Sequence, residues 1–388
     1  MSTLRYVSAA TVLAAVFVAA WLLASLPEAG RSLSLSVLLG AAFGIVLQRS
    51  RFCFYCIARD FIDRKETAGM YAVLIALGAG TLGYHAVFGA FLPVPSPDRL
   101  PPGAHIGPVS LALVAGAFVF GVGMRVSGSC ISAHFYRLGE GALASPFALL
   151  GAGLGFVLGF ATWNTLYLAW IQEAPVVWLP QQLGYGGTVL LQGVVLAALA
   201  WAVSRRGGAK PVAAQAATSP WLAVLRDRWP PAVGGILVGF IGVIAYLRIA
   251  PLGVTAELGS VARTVASSTG WLPGRLEGLD TFAGCATVVK SVLLSNNGAF
   301  VLALVAGAWS AALAAGAFRP KLPSLKDIAR NFGGGVLMGW GGMTALGCTV
   351  GTLLSGVMAG ALSGWIFGAA CFAGVWAGLR AVRAPAAA

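Results

Sequence analysis

A chain of 388 residues that is 58% hydrophobic and only 10% charged, with a mean hydropathy of +0.85, is excluded from the soluble classes and falls among multi-span membrane proteins. Its 25 Lys and Arg against 12 Asp and Glu give a net charge of +13, but the basic residues stand in short clusters between apolar runs. That pattern argues against nucleic acid as the partner and fits loops oriented by the positive-inside rule.

In chain order, the first apolar run, residues 7–26, is about 20 residues long, which suits a membrane span and not the core of a signal peptide. Further spans are predicted over residues 33–47, 68–92, 109–124, 147–170, 188–203, 233–247, 299–317, 332–346 and 362–379. Several fall short of about 20 residues, which predicts broken helices. The linker 204–230 carries Arg205, Arg206, Lys210, Arg226 and Arg228, so it belongs on the cytoplasmic face, with the clusters from Arg49 to Lys65 and from Arg319 to Arg330. The loop 171–187 has no Lys or Arg and faces out. These assignments agree only if residues 280–294, which carry Asp280, Cys285 and Lys290, form a re-entrant helix.

The expected fold is an all-α polytopic membrane protein of about 9–10 transmembrane helices with short re-entrant or broken helices. Its expected units are an N-terminal helix at 1–32, a first membrane repeat at 33–203, the basic linker 204–230 and a second repeat at 231–388. Residues 121–130 and 339–348 are the same glycine-rich phrase, each ending in a small residue and a cysteine. On the path above they run in opposite directions, which predicts an inverted two-fold pseudo-repeat; residues 40–53 against 235–253 match more weakly.

At the first break, Gly128 permits a turn, and Ser129 and Cys130 precede a fresh helix whose unpaired N–H groups favour an anion. Gly347, Cys348 and Thr349 repeat the arrangement, with the Thr349 hydroxyl as a further donor. Cys130 and Cys348 are expected to face one another at the waist of the molecule. A thiol argues for a soft, polarizable ligand, and its weak hydrogen bonds let an ion leave again. Cys53 follows Arg49 and Arg51 at a span end, where the cations gather an anion or activate the thiol.

The six cysteines sit mostly in apolar or Gly-rich segments, so they read as free thiols and not as a disulfide set. Cys53 and Cys56 lack a second pair to complete a metal site. Cys371 reads as a small buried hydrophobe, and Cys285 leans the same way. His134, four residues after Cys130, is placed to face it and relay a proton, but for His85, His105 and His134 a hydrogen-bonded structural role is the plainer reading. Arg125 and Lys290, at or near membrane depth, call for a functional or charge-pairing role.

The run from Gln48 to Cys53 with Arg59 and Asp60, the run from Gly128 to Cys130 with Tyr136, Arg137 and Gly139 to Gly141, and the run from Gly347 to Gly351 resemble the YeeE/YedE sulfur-transport family, in its motif order and over the chain from about Leu33 onward. The resemblance implies uptake of thiosulfate or a related small sulfur-containing anion across the bacterial inner membrane, with no cofactor. By motif, the family's substrate-passing thiols fall on Cys53, Cys130 and Cys348, supported by Arg51, Gly128, Ser129, Gly347 and Thr349. It also implies a small cytosolic sulfur-carrier protein as partner. Competing readings are a selenium compound as cargo, a membrane thiol oxidoreductase or sulfurtransferase using Cys53 and Cys56, and a non-transporting scaffold.

Overall fold

The computed structural model describes residues 2–27, 29–96, 99–207, 224–279, 282 and 288–383. Among these residues the chain forms helices joined by turns, with isolated bridges and no strand. Hydrocarbon leaves a backbone no other partner than itself, so each apolar run closes its own hydrogen bonds.

The helices are α1 (Ser2–Ala24), α2 (Gly30–Ser50), α3 (Phe54–Arg64), α4 (Ala68–Phe91), α5 (Leu111–Ser127), α6 (Ile131–Gly139), α7 (Ser145–Leu166), α8 (Leu179–Arg206), α9 (Pro231–Arg248), α10 (Val254–Ser268), α11 (Asn296–Ala315), α12 (Leu325–Thr344), α13 (Thr349–Met358) and α14 (Leu362–Arg383). Among the described residues nine are long and apolar enough to cross a membrane, or ten when α12 and α13, bent by 41° at their junction, count as one span. The chain is thus an all-α, multi-pass membrane protein.

Two expectations change. The span predicted at 188–203 extends back to Leu179, because Gly184, at φ +66°, joins two helical pieces across a kink that a residue with a Cβ would resist. Of the re-entrant helix expected at 280–294, residues 280, 281 and 283–287, Cys285 included, lie outside the described residues, and the described ones, 282 and 288–294, are not helical. The short helix in this region is α10, which the sequence pattern did not mark. Residues 288–290 are pinned on it: Val288 N–H donates to Ser260 Oγ at 3.1 Å and Lys290 N–H to Thr264 Oγ1 at 2.9 Å.

Helices pair across the two halves of the chain. α2 packs on α11 and α9 on α4; α7 packs on α12 and α14 on α5; α5 and α12 pack on each other. Lipid supplies no hydrophobic force between helices, so their contacts rely on small residues that let backbones touch. A Cβ on Gly44 of α2 would land on the Leu304 carbonyl of α11, and one on Gly307 would land on that of Ala41. Along the α5–α12 seam Gly116 lies against Gly341 and Ala345, and Gly123 and Ser127 against Gly334, so the two helices run antiparallel.

The basic clusters meet at one end of the bundle. Trp229 N–H donates to the Arg49 carbonyl at 3.1 Å, Arg319 N–H to Glu140 O at 3.0 Å, and Gln48 Nε2 to Glu140 Oε1 at 3.2 Å. At the other end the loop free of Lys and Arg is tied down by Val109 N–H to Pro175 O at 2.9 Å and Leu362 N–H to Val177 O at 3.1 Å. By the positive-inside rule the expected cytoplasmic end is the first.

Candidate functional site

Each of the three motif cysteines is the N-cap of a helix: Cys53 of α3, Cys130 of α6 and Cys348 of α13. Two residues before each one the chain turns through a positive φ, at Arg51 (52°), Gly128 (81°) and Leu346 (55°). The left-handed residue ends the preceding helix, and the cysteine opens the next one with extended φ/ψ, so its side chain stands beside the free N–H groups of a first helical turn. Gly347, at φ 154°, completes the third turn and donates its N–H to Gly342 O at 2.8 Å. The break between α9 and α10 places Gly253 at the N-cap, where the others have cysteine.

The first two breaks come together. Cys53 and Cys130 are each 0% exposed, and the break that carries Cys53 packs against the one that carries Cys130. Cys53 Sγ lies 3.8 Å from Ser129 Oγ, and Cys130 Sγ lies 3.3 Å from Ser132 Oγ. The Cys56 N–H donates to Cys53 Sγ at 3.4 Å, so the Cys53 sulfur also caps α3. All the described cysteines are free thiols.

The third break lies elsewhere. Ser127 is level with Gly334, whereas Ala345 is level with Gly116, so about eleven residues of α12, roughly 16 Å of helix rise, separate the turns that carry Cys130 and Cys348. The expectation that these two cysteines face one another at the waist is corrected accordingly: the break of Cys130 packs on that of Cys53 at the basic end of the bundle, and Cys348 lies farther along the seam. The reason is that antiparallel helices which both break just after their last turn leave their breaks at opposite ends of the shared seam. Cys371 of α14 is the buried thiol within electrostatic range of Cys348.

Beside the break between α12 and α13 a small cavity of about 20 Å³ is lined among others by His105, Ser110, Thr344, Leu346, Thr352 and Ser363. Its wall carries hydroxyls: Ser363 Oγ accepts Gly107 N–H at 3.3 Å, Thr352 Oγ1 donates to Leu346 O at 3.3 Å, and the buried Thr344 Oγ1 has no hydrogen-bond partner among the described residues. His105 lies in the external loop, and burial pushes its imidazole down to about 4, so it is neutral at physiological pH. Thr349 is buried at 2% exposure beside Cys348.

The structure also places the residues that sequence left between two readings. His134 Nδ1 lies 3.3 Å from Ser145 Oγ and His85 Nδ1 lies 2.8 Å from Thr81 O, so both take the structural role. Lys290 pairs with Glu257 in the first turn of α10, and Ser295 Oγ donates to the same carboxylate at 2.5 Å. Arg51 is exposed at the end of α2, and Arg125 reaches Tyr55. The sequence pattern did not single out Thr344 or the closeness of Cys371 to Cys348, because neither residue stands in a distinctive local run.

A multi-pass bundle in which broken helices present buried thiols at their starts, at two depths, defines a membrane transporter. The chain belongs to the sulphur transport family, whose model matches residues 49–377. It is similar to the thiosulfate transporter TsuA of Spirochaeta thermophila, 29% identical over 355 residues that cover 88% of this chain and 96% of the relative. It is also similar to the thiosulfate transporter TsuA of Escherichia coli, 27% identical over 354 residues, covering 87% and 91%. Both relatives are named as transporters, and the reading of Cys53 and Cys56 as an enzyme's thiol pair finds no counterpart in their names.

Proposed function

We propose that this protein carries thiosulfate, or a reduced-sulfur anion of the same build, inward across the bacterial inner membrane by way of thiol hydrogen bonds. The observation that carries the reading is the packing of two helix breaks against one another, with Cys53 Sγ 3.8 Å from the hydroxyl of Ser129 beside Cys130, and both cysteines wholly buried and opening a helix. The anion enters by way of the hydroxyl-lined cavity, which must widen to admit it, meets the Cys348 thiol at the start of α13, crosses the seam, and reaches Cys130 and Cys53 before release at the basic cytoplasmic rim. Helix N-termini offset part of the dehydration of the dianion, and neutral S–H donors bind its terminal sulfur weakly enough for it to leave. Arg51, Gly128, Ser129, Gly347 and Thr349 act in support: the glycines and Arg51 make the turns, and Ser129 and Thr349 add hydroxyls.

The halves 33–203 and 231–388, joined by the linker 204–230 and preceded by the helix at 1–32, act as an inverted pseudo-repeat in this reading. Support comes from the reciprocal pairing of α2 with α11 and α9 with α4, and of α7 with α12 and α14 with α5. A small cytosolic sulfur-carrier protein would collect the cargo at the inner rim, where Arg319, Lys321 and Arg330 gather.

The test is uptake of labelled thiosulfate into sealed proteoliposomes, together with growth of a strain that depends on this protein for thiosulfate. Cys130→Ala and Cys348→Ala are expected to abolish both at normal protein level. Full uptake by either variant would refute the thiol pathway.

A further inference from the structure

The cytoplasmic end of the sulfur cluster holds a cation that the thiol pathway leaves unused. Arg137 lies in the last turn of α6, seven residues after Cys130, which puts the two on one face of the helix, two turns apart. Its Nη2 donates to Cys56 Sγ at 3.3 Å and its Nη1 to the Gly128 carbonyl at 3.4 Å. The Cys56 N–H donates to Cys53 Sγ at 3.4 Å, and Cys53 Sγ lies 3.8 Å from the hydroxyl of Ser129, the neighbour of Cys130, so the four residues follow one continuous line. Cys53 and Cys130 are sealed, whereas Cys56 and Arg137 are half-buried, so the line opens at its guanidinium end.

Among the described residues no carboxylate forms an ion pair with Arg137; the nearest acid in the chain, Glu140, accepts the Gln48 amide instead. A guanidinium presents five donors in a rigid fork suited to oxyanions, and a thiol, one long carbonyl contact and the neighbouring Tyr136 hydroxyl give that fork no carboxylate oxygen. A cation kept at membrane depth without a carboxylate implies a partner that comes and goes.

We infer that Arg137 and Cys56 form an inner release station, where the guanidinium takes the sulfonate oxygens of thiosulfate while its terminal sulfur is still held by Cys53 and Cys130. Cys56 occupies the fork when no anion is bound and competes for it afterwards, which keeps the station weak enough to empty into the cytosol. The fork selects a three-oxygen head, so a bare sulfide ion passes without its help. This inference rests on the thiosulfate reading above.

The experiment uses the full chain in proteoliposomes sorted by orientation, with labelled thiosulfate offered separately to the external and cytoplasmic faces. Arg137→Gln is expected to raise half-saturation at the cytoplasmic face by about tenfold or more, the loss of one charge-assisted bidentate contact, and to leave the external face unchanged. Arg137→Lys recovers part of the loss, and Cys56→Ala tightens the cytoplasmic face by freeing the fork. Thiosulfate slows maleimide labelling of Cys56 in the unaltered protein and not in Arg137→Gln. A merely structural role would shift both faces together, and that result, or an Arg137→Gln protein with an unaltered cytoplasmic face, overturns the inference alone. Absence of thiosulfate uptake by the unaltered protein overturns both readings.

Discussion

Substituting Gly44 by alanine tests whether backbone contact between α2 and α11 sets the position of Cys53. The added Cβ meets the Leu304 carbonyl, a group held by its own helix and unable to turn aside, so α2 must retreat by something on the order of 1 Å to reach an ordinary contact. Overpacking of this kind costs about 1–3 kcal/mol, against about 1 kcal/mol gained from the better helix propensity of alanine. Gly153 of α7 supplies the control, because a Cβ there meets nothing within 4 Å and only the propensity gain applies. Since α2 ends at the turn that carries Cys53, its retreat also draws that thiol away from Cys130. Thermal unfolding in detergent, paired with thiosulfate uptake, is expected to show Gly44→Ala less stable and slower than the unaltered protein and Gly153→Ala equal or better. Equal stability and uptake for the two variants would refute the account of the seam.

Two further expectations concern charge. Lys290 and Glu257 have side chains only 12% and 15% exposed, so Lys290→Met, which strands the carboxylate, is expected to cost about 3–5 kcal/mol. Adding Glu257→Leu to it should recover most of that loss in a thermal melt; a double variant as unstable as the single one would show that the pair does not hold residues 288–290 on α10. His105 gives a pH dependence: the unfolded chain takes up its proton near pH 6.5 and the folded chain only near 4, so the unfolded state binds more protons between those values. Stability from this group is full above about pH 6.5 and declines as the pH falls toward 4, by on the order of 3 kcal/mol. His105→Gln should flatten that acid limb, and an unchanged limb would assign it to other groups.

The parts of the fold that could be read in advance are those whose physics is local. Residues 68–92 were legible as a span because an apolar run free of charge has no other stable state in lipid, and the helix observed is Ala68–Phe91. The breaks before Cys130 and Cys348 were legible because glycine beside a thiol interrupts an apolar run, and the basic end of the bundle because charge clusters cannot cross hydrocarbon cheaply. By contrast α10, with Glu257 and Arg263 among its apolar residues, mimics a surface helix and gave no signal of its place inside the bundle.

Composition, spacing and charge thus sufficed for the class of the protein, the approximate number of its spans, and the place of Cys130 and Cys348 at helix starts, since each depends on a stretch of chain interacting with itself or with its solvent. Which sulfurs meet is a different kind of fact. Cys53 reaches Ser129, beside Cys130, because the turns that end α2 and α5 pack on one another, and Cys348 lies farther along the seam because α5 and α12 are antiparallel, their register set by Gly116, Gly123, Gly334 and Gly341. Arg137 faces Cys56 for the same reason, two helix ends converging from remote parts of the chain. Such contacts arise from the packing of whole helices, and no local run of residues encodes them.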